Sequence, residues 1–401
     1  HSQFTKKFYI SCEVYASVFY DSGFWSMFLP VRKNLQIGLG LVNSVSLSEF
    51  KAILAHEFGH FSQRSMKLGS YVYNVNHVIY NMLYDNEGYD RTLQSWANIS
   101  GYFAFFANIT VKIVVGIQWL LQKVYAVVNT SYMALSRQME SHADAVSAYV
   151  SGSDHLASSL RRLELSDASY NRLLEYYEQL RVRNLKPDNV YPQHTAIMKH
   201  LAEQHGIPVE NGFAQVNGNS FGASNKSRLV IKDQWASHPS IEDREAQLRK
   251  LNIPSEKVTA SAWTIFSDSG SLQKKMTEKL YSTIEFEQSP EVLDLDLFHK
   301  LYSADTEKYQ LNNRYKGFFN FRSIGTFNLK NPDAVTEKNL EEILNESTLS
   351  LPYEIEGLKS DLHSLNLIKQ KEISVKEFEF AGNRYKRSHS PKLIAELEAE
   401  L

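Results

Sequence analysis

The stretch His56-Glu57-Phe58-Gly59-His60 constrains this chain more than any other. It lies within residues 46–66, a segment that reads as one helix. Ser46-Leu47-Ser48-Glu49 has the S-x-x-E form that starts a helix by satisfying free amides at its N-terminus. Phe50, Ile53, Leu54, Phe58 and Phe61 follow at helical spacing and form one apolar face. Residues four apart on a helix stand one turn above each other, so both imidazoles point the same way and can grip one metal ion. Glu57 then lies beside the ion, where a general base for a metal-bound water must sit. Taken alone, these features also fit a surface helix that carries two histidines.

A second cluster lies downstream, Ser136-Arg137-Gln138-Met139-Glu140-Ser141-His142-Ala143-Asp144-Ala145. On a helix Glu140 and Asp144 share a face. Two histidines need a third ligand to hold zinc with one coordination position open, and a helical carboxylate such as Glu140 is a standard choice. Asp144 can then accept from the far nitrogen of a ligand imidazole, His56 being the best placed, which fixes the ring's tautomer and orientation. His142 is the rival third ligand, but two residues from Glu140 it points to a different side. Read without His56 and His60, Glu140 and Asp144 are an ordinary acidic helix face.

The remaining composition sets limits. A chain of 401 residues buries a real core and has room for two or three domains. A formal net charge of -2 gives no argument for a nucleic-acid or an acidic partner, and no nucleic acid is expected. The lone cysteine, Cys12, allows no internal disulfide and reads as a small buried hydrophobe. Residues 7–20 read as one or two strands. Leu35 to Val42 reads as another, with Gly38 and Gly40 permitting close approach of a second backbone. Residues 61–84 and 91–135 read as a helical hairpin, joined through the polar turn Asp85–Asp90. From Thr92 to Val111 no residue is charged, yet Lys112, Gln118, Gln122 and Lys123 interrupt the apolar run that continues to about residue 128. Three settings fit 92–128, in this order: buried against protein or a partner, lying at a membrane interface, and spanning a membrane. Further helices are expected at 155–185, 195–205, 333–350, 354–372 and 393–401. Pro239 opens another, with Ile241, Leu248 and Leu251 as its buried side.

His56-Glu57-Phe58-Gly59-His60, followed by Ser136-Arg137 and by Glu140-x-x-Ala143-Asp144, resembles the zinc metallopeptidases that include the CAAX prenyl-protein endopeptidases and the HtpX-type proteases. In that family the two histidines and the later glutamate bind zinc, and the glutamate of H-E-x-x-H is the base. The resemblance assigns these roles to His56, His60, Glu140 and Glu57. Ser237-His238-Pro239, with Arg244 beyond, is similar to the family's H-P-x-x-x-x-R segment, whose His and Arg lie near the active site. The resemblance covers about residues 35–250, and its insert is less uniformly apolar than in the membrane members.

What these observations imply is an α+β, mainly α-helical chain. A zincin-like catalytic domain would occupy 1–252, with a small sheet beside the H-E-x-x-H helix and a helical insert at about 61–135. A mixed accessory region would occupy 253–401. The expected activity is zinc-dependent endopeptidase, with Glu57 as base and His238 or Arg244 stabilising the oxyanion. The expected substrate is a protein or peptide, and the strand of Gly38 and Gly40 is either a sheet edge that holds it in extended form or a bulged strand with no ligand. The resemblance implies a cytoplasmic-facing, membrane-associated protein; opening on His1 rather than Met, the chain reads as a fragment or a processed form, which leaves N-terminal membrane segments open. A non-proteolytic zinc-bound scaffold or chaperone-like protein is the alternative, against which an intact Glu57 counts. The oligomeric state is not legible.

Overall fold

The computed structural model describes residues 7–19, 34–62, 72, 101–217, 220, 227–230, 239–308, 310–319, 339–373, 375 and 377–401. Most of the expected helix at 61–84, the turn Asp85–Asp90 and His238 lie outside them. In chain order the elements are β1 (Phe8–Ser11), β2 (Ala16–Phe19), β3 (Asn34–Gly38), α1 (Leu39–Ser44), α2 (Leu47–Ser62), α3 (Gly101–Ser151) and α4 (Ser153–Arg181). Then come β4 (Leu185–Pro187), α5 (Val190–Gln204), β5 (Val209–Glu210), β6 (Phe213–Ala214), β7 (Leu229–Val230), α6 (Ile241–Leu251) and α7 (Ser269–Tyr281). The chain ends with β8 (Glu291–Leu293), α8 (Leu295–Glu307), α9 (Leu340–Ile343), α10 (Glu346–Gln370), β9 (Glu377–Phe380), β10 (Asn383–Lys386) and α11 (Ser390–Glu400). The architecture is α+β and mainly helical.

Two compact units are present: residues 1–160 with 234–265, and residues 161–233 with 266–401. In the first, a three-stranded sheet has the order β1-β3-β2, with β1 parallel and β2 antiparallel to β3. The strand expected to run through Val42 stops at Gly38, and Leu39–Ser44 is the helix α1. The strand before the metal helix is therefore central rather than a sheet edge, because β1 and β2 occupy both of its sides. The two glycines serve the chain's own backbone. A Cβ on Gly38 would collide with the Glu13 carbonyl oxygen, and one on Gly40 would stand 2.8 Å from Val14 Cγ2 and 2.9 Å from Glu13 O. The turn at residues 12–15 thus lies directly on the strand-to-helix junction, where Gly38 N donates to Tyr15 O and Gly40 N to Glu13 O. Cys12 is buried in this turn.

The capping box forms as its residues predict. Ser46 N donates to Glu49 Oε2 at 2.9 Å, and Glu49 N donates to Ser46 Oγ at 3.4 Å. The Glu49 carboxylate also accepts from Ser158 Oγ of α4 at 2.6 Å. Residues 255–263, beyond the expected domain end at 252, close over the same helix end. Leu47 N donates to Ala260 O, Val258 N to Ser48 Oγ, and Trp263 Nε1 to Asn43 Oδ1. Ala52 of α2, Ala148 of α3, Leu156 of α4 and Leu248 of α6 then share one buried cluster. Phe50 and Ile53 are buried as expected, but Phe58 is 44% exposed. It lines an apolar hollow of about 500 Å³ with Leu47, Phe50, Leu54, Val150 and Ile265.

The second helix of the expected insert does not end near residue 135. It continues as α3 through Glu140 and Asp144 to Ser151, so insert and ligand helix are one element. Ile113, Ile117, Trp119, Leu120, Val124 and Val127 are exposed on it. By length and composition it is, among the described residues, a helix able to cross a membrane. α6 starts two residues later than Pro239 suggests. Ser240 is its cap, accepting from Asp243 N at 3.1 Å, and its buried side is Glu245 and Leu248, with Leu251 exposed.

In the second unit Leu165, Met198, Ala202, Ile207, Ala214 and Val216 pack together, and Tyr176, Tyr177, Phe298 and Tyr302 form an aromatic group. Farther along, Leu358, Leu365, Phe378, Phe380, Leu393 and Leu397 join α10, α11 and the sheet β10-β9-β7. Of the helix expected at 333–350, residues 333–338 lie outside the described residues, and the rest is α9 and the start of α10, both capped by asparagine.

The three-way linkage of Glu49 predicts a stability effect at some distance from the histidines. Glu49→Ala strips acceptors from Ser46 N, Ser46 Oγ and Ser158 Oγ, and lowers unfolding stability by about 1–3 kcal/mol. Denaturant titration of the parent and the variant measures this directly. An unchanged midpoint would show that the segment 255–263 holds the helix end without the cap.

Candidate metal centre

Helix geometry alone places His56 and His60 together. Their Nε2 atoms are 3.1 Å apart and the rings meet edge-on, with centroids 4.8 Å apart. Glu140 comes from α3. One of its carboxylate oxygens lies 3.3 Å from His56 Nε2, and the other lies 3.4 Å from His60 Nε2. These three side chains could hold a metal ion. Two ligand atoms at about 2.0–2.1 Å from a tetrahedral ion are about 3.3 Å apart, so the donor separations fit zinc. His142 is exposed and is not part of this cluster.

The packing explains why Glu140 reaches the histidines. α2 and α3 cross through small residues: Gly59 faces Ala143, and Ala52 and Ala148 share one buried cluster. Ser147 Oγ donates to the Ala52 carbonyl at 2.7 Å and ties the two helices together. A leucine at any of these places would hold the helices apart.

Behind the donors runs a chain of buried charges. His56 Nδ1 lies 2.8 Å from Asp144 Oδ1. Asp144 in turn accepts two hydrogen bonds from Arg244 of α6, from Nε at 2.8 Å and from Nη2 at 2.6 Å. Burial alone would push the His56 pKa down. The Asp144 and Glu140 carboxylates outweigh it and raise the pKa to about 9. Burial works on Asp144 in the opposite sense, yet Arg244 and His56 hold its carboxyl below the usual range. Arg244 likewise keeps its charge despite burial, through Asp144.

Glu57 stands at the edge of the cluster. Burial raises its pKa, His56 and His60 oppose the rise, and Glu140 adds to it. A hydrogen bond from the Val18 backbone amide also steadies the carboxylate. This contact had no signal in the sequence, since any residue but proline supplies it. Its direction follows from strand pairing. Tyr15 O is bonded to Gly38 N, so in the alternation of an antiparallel pair Ala16 and Val18 turn their polar groups away from β3. Among the described residues, the side of β2 turned away from β3, rather than the strand of Gly38 and Gly40, therefore faces Glu57.

The structure thus brings together His56, Glu57, His60, Glu140, Asp144 and Arg244. Gly38 and Gly40 are occupied by the turn at residues 12–15.

The model of Peptidase family M48 matches residues 31–252. Among curated proteins, one named Protease HtpX, from Erwinia tasmaniensis, is 26% identical over 138 residues, covering 32% of this chain and 44% of that protein. Another named Protease HtpX, from Alkalilimnicola ehrlichii, is 23% identical over 216 residues, covering 53% of this chain and 55% of that protein. The chain spans about half the length of these relatives. No solved structure matches it. The family match covers more than half of the sequence, and the chain belongs to peptidase family M48.

Proposed function

We propose that the chain is a zinc-dependent endopeptidase. The observation that carries this is the convergence of two imidazoles and a carboxylate from two helices, with a second carboxylate, Glu57, beside them. His56, His60 and Glu140 hold the zinc. When bound, zinc polarises a substrate carbonyl and lowers the pKa of water toward neutrality. Glu57 takes a proton from the attacking water and passes it to the leaving nitrogen. Asp144 fixes the ring of His56, and Arg244 holds Asp144 in place, so Arg244 acts through its partner. His238 is assigned to the developing oxyanion on the resemblance of its segment. The peptide lies in extended form along β2, whose Ala16 groups and Val18 carbonyl are turned outward for main-chain hydrogen bonds.

Catalysis is assigned to the region matched by the family, completed by the segment 253–265 that closes over α2. An accessory role in positioning substrate is assigned to the chain beyond it. Membrane association through α3 is supported by its exposed apolar residues and by the resemblance to membrane proteases. It would place protein segments near a membrane among the substrates.

Glu57→Gln should retain zinc and lower kcat by about 10²–10⁴-fold, because it removes the proton acceptor and leaves the donors intact. Glu140→Ala should lose zinc. Elemental analysis beside a peptide-hydrolysis assay reads both. Full activity of Glu57→Gln would sink the mechanism, and zinc binding with no hydrolysis by the parent would favour a scaffold.

The His56 environment predicts a pH dependence for the metal-free chain. The folded pKa of about 9 lies above the ordinary 6.5, so the charged ring stabilises the fold fully below the lower value. That contribution is lost as pH rises through about 9. Zinc needs the neutral ring, so its affinity rises over the same interval. Thermal midpoints in chelator and zinc titrations across this range should move in opposite directions. Asp144→Asn should flatten both curves and weaken zinc by about 10–100-fold.

A further inference from the structure

The spacing of His56 and His60 is built into α2, but the distance to Glu140 is not. It depends on how closely α3 approaches, and at Gly59 that approach leaves no room for a side chain. A Cβ on Gly59 would stand 3.0 Å from Ala143 Cα, 3.2 Å from Ala143 Cβ and 3.4 Å from Ala143 O. Ala143 is fully buried and lies between Glu140 and Asp144 in sequence. One turn along α3 from Ala143, Ser147 Oγ donates to the Ala52 carbonyl of α2, and Ala52 and Ala148 share one buried cluster. Added bulk at Gly59 would press on α3 at Ala143, on the Glu140 side of the Ser147 hydrogen bond, and so widen the end that bears Glu140.

We propose that Gly59 is a positioning residue that sets the gap between Glu140 and the two histidines, and with it the size of divalent cation the centre prefers. The inference rests on the metal-site reading above. Close approach at Gly59 keeps the three donors at separations suited to zinc. A wider gap lengthens the path to Glu140 and suits a larger ion of similar ligand preference, such as cadmium.

The test uses the full chain, with zinc and cadmium affinities measured separately by competition against a chromophoric chelator. Gly59→Ala should weaken zinc by about 10–100-fold, the range seen when the support of a ligand is disturbed, and should weaken cadmium less. Adding Ala143→Gly should recover part of the zinc affinity, since it removes one of the two closest atoms. Ala143→Gly alone creates no clash and lets the helices close, so the ratio of zinc to cadmium affinity should rise. This variant keeps the test decisive if Gly59→Ala does not fold. Gly116→Ala, on the same α3 with nothing within 4 Å of the added Cβ, should change neither affinity. Equal losses for both metals in Gly59→Ala would overturn the proposal, as would an unchanged ratio in Ala143→Gly. A parent chain that binds no zinc would overturn the metal-site reading and this inference together.

Discussion

The close crossing of α2 and α3 is the contact on which the candidate centre depends. The histidines belong to one helix and the carboxylates behind them to another, with a long insert between the two in sequence. Nothing local brings them together. Gly59 and Ala143 permit the approach, and the Ser147 bond to the Ala52 carbonyl fixes the neighbouring turn. Dispersion forces fall off steeply with separation, so a seam of small side chains gives a tighter and less adjustable contact than interleaved leucines. The cluster shared with α4 and α6 then holds both helices from behind.

Around this crossing the chain buries an unusual amount of charge. Glu140, His56, Asp144 and Arg244 are all largely withdrawn from water. Each would be costly alone, since desolvating one ion costs several kcal/mol. They survive because each is paired: Arg244 forks onto Asp144, and Asp144 faces His56. Such an arrangement contributes little to net stability compared with an apolar core. Its use is directional. The fork of Arg244 leaves Asp144 one orientation, and Asp144 leaves the imidazole one orientation, so His56 Nε2 is aimed before any ligand arrives.

The residues differ in how legible they were. The capping box Ser46–Glu49 and the one-turn spacing of His56 and His60 follow from helix geometry, which is local, and both appear where the pattern puts them. Glu140 could be suggested from type and face, but the choice between it and His142 needed the direction of approach of α3. The apolar run of Leu35–Val42 suits a strand or a buried helix equally, and the chain uses it as both. What stops the strand at Gly38 is the turn at residues 12–15 lying against it. The order of the sheet was likewise hidden, since β3 enters between two strands that are consecutive in sequence. Phe58 sits at helical spacing with buried residues yet faces solvent, because periodicity gives a face and not what covers it.

By itself the sequence determined the chemistry available: two imidazoles one turn apart, a carboxylate next to them, and two more carboxylates sharing a later helical face. It also determined the mainly helical character, because hydrophobic period and caps act over a few residues. Only the tertiary structure decided which sheet edge faces Glu57, that Arg244 is committed to Asp144, and that the insert helix and the ligand helix are one. Those outcomes depend on contacts between residues distant in the chain. The free energy of such contacts lies in the fit of surfaces and the satisfaction of buried charge, which no short stretch of sequence contains.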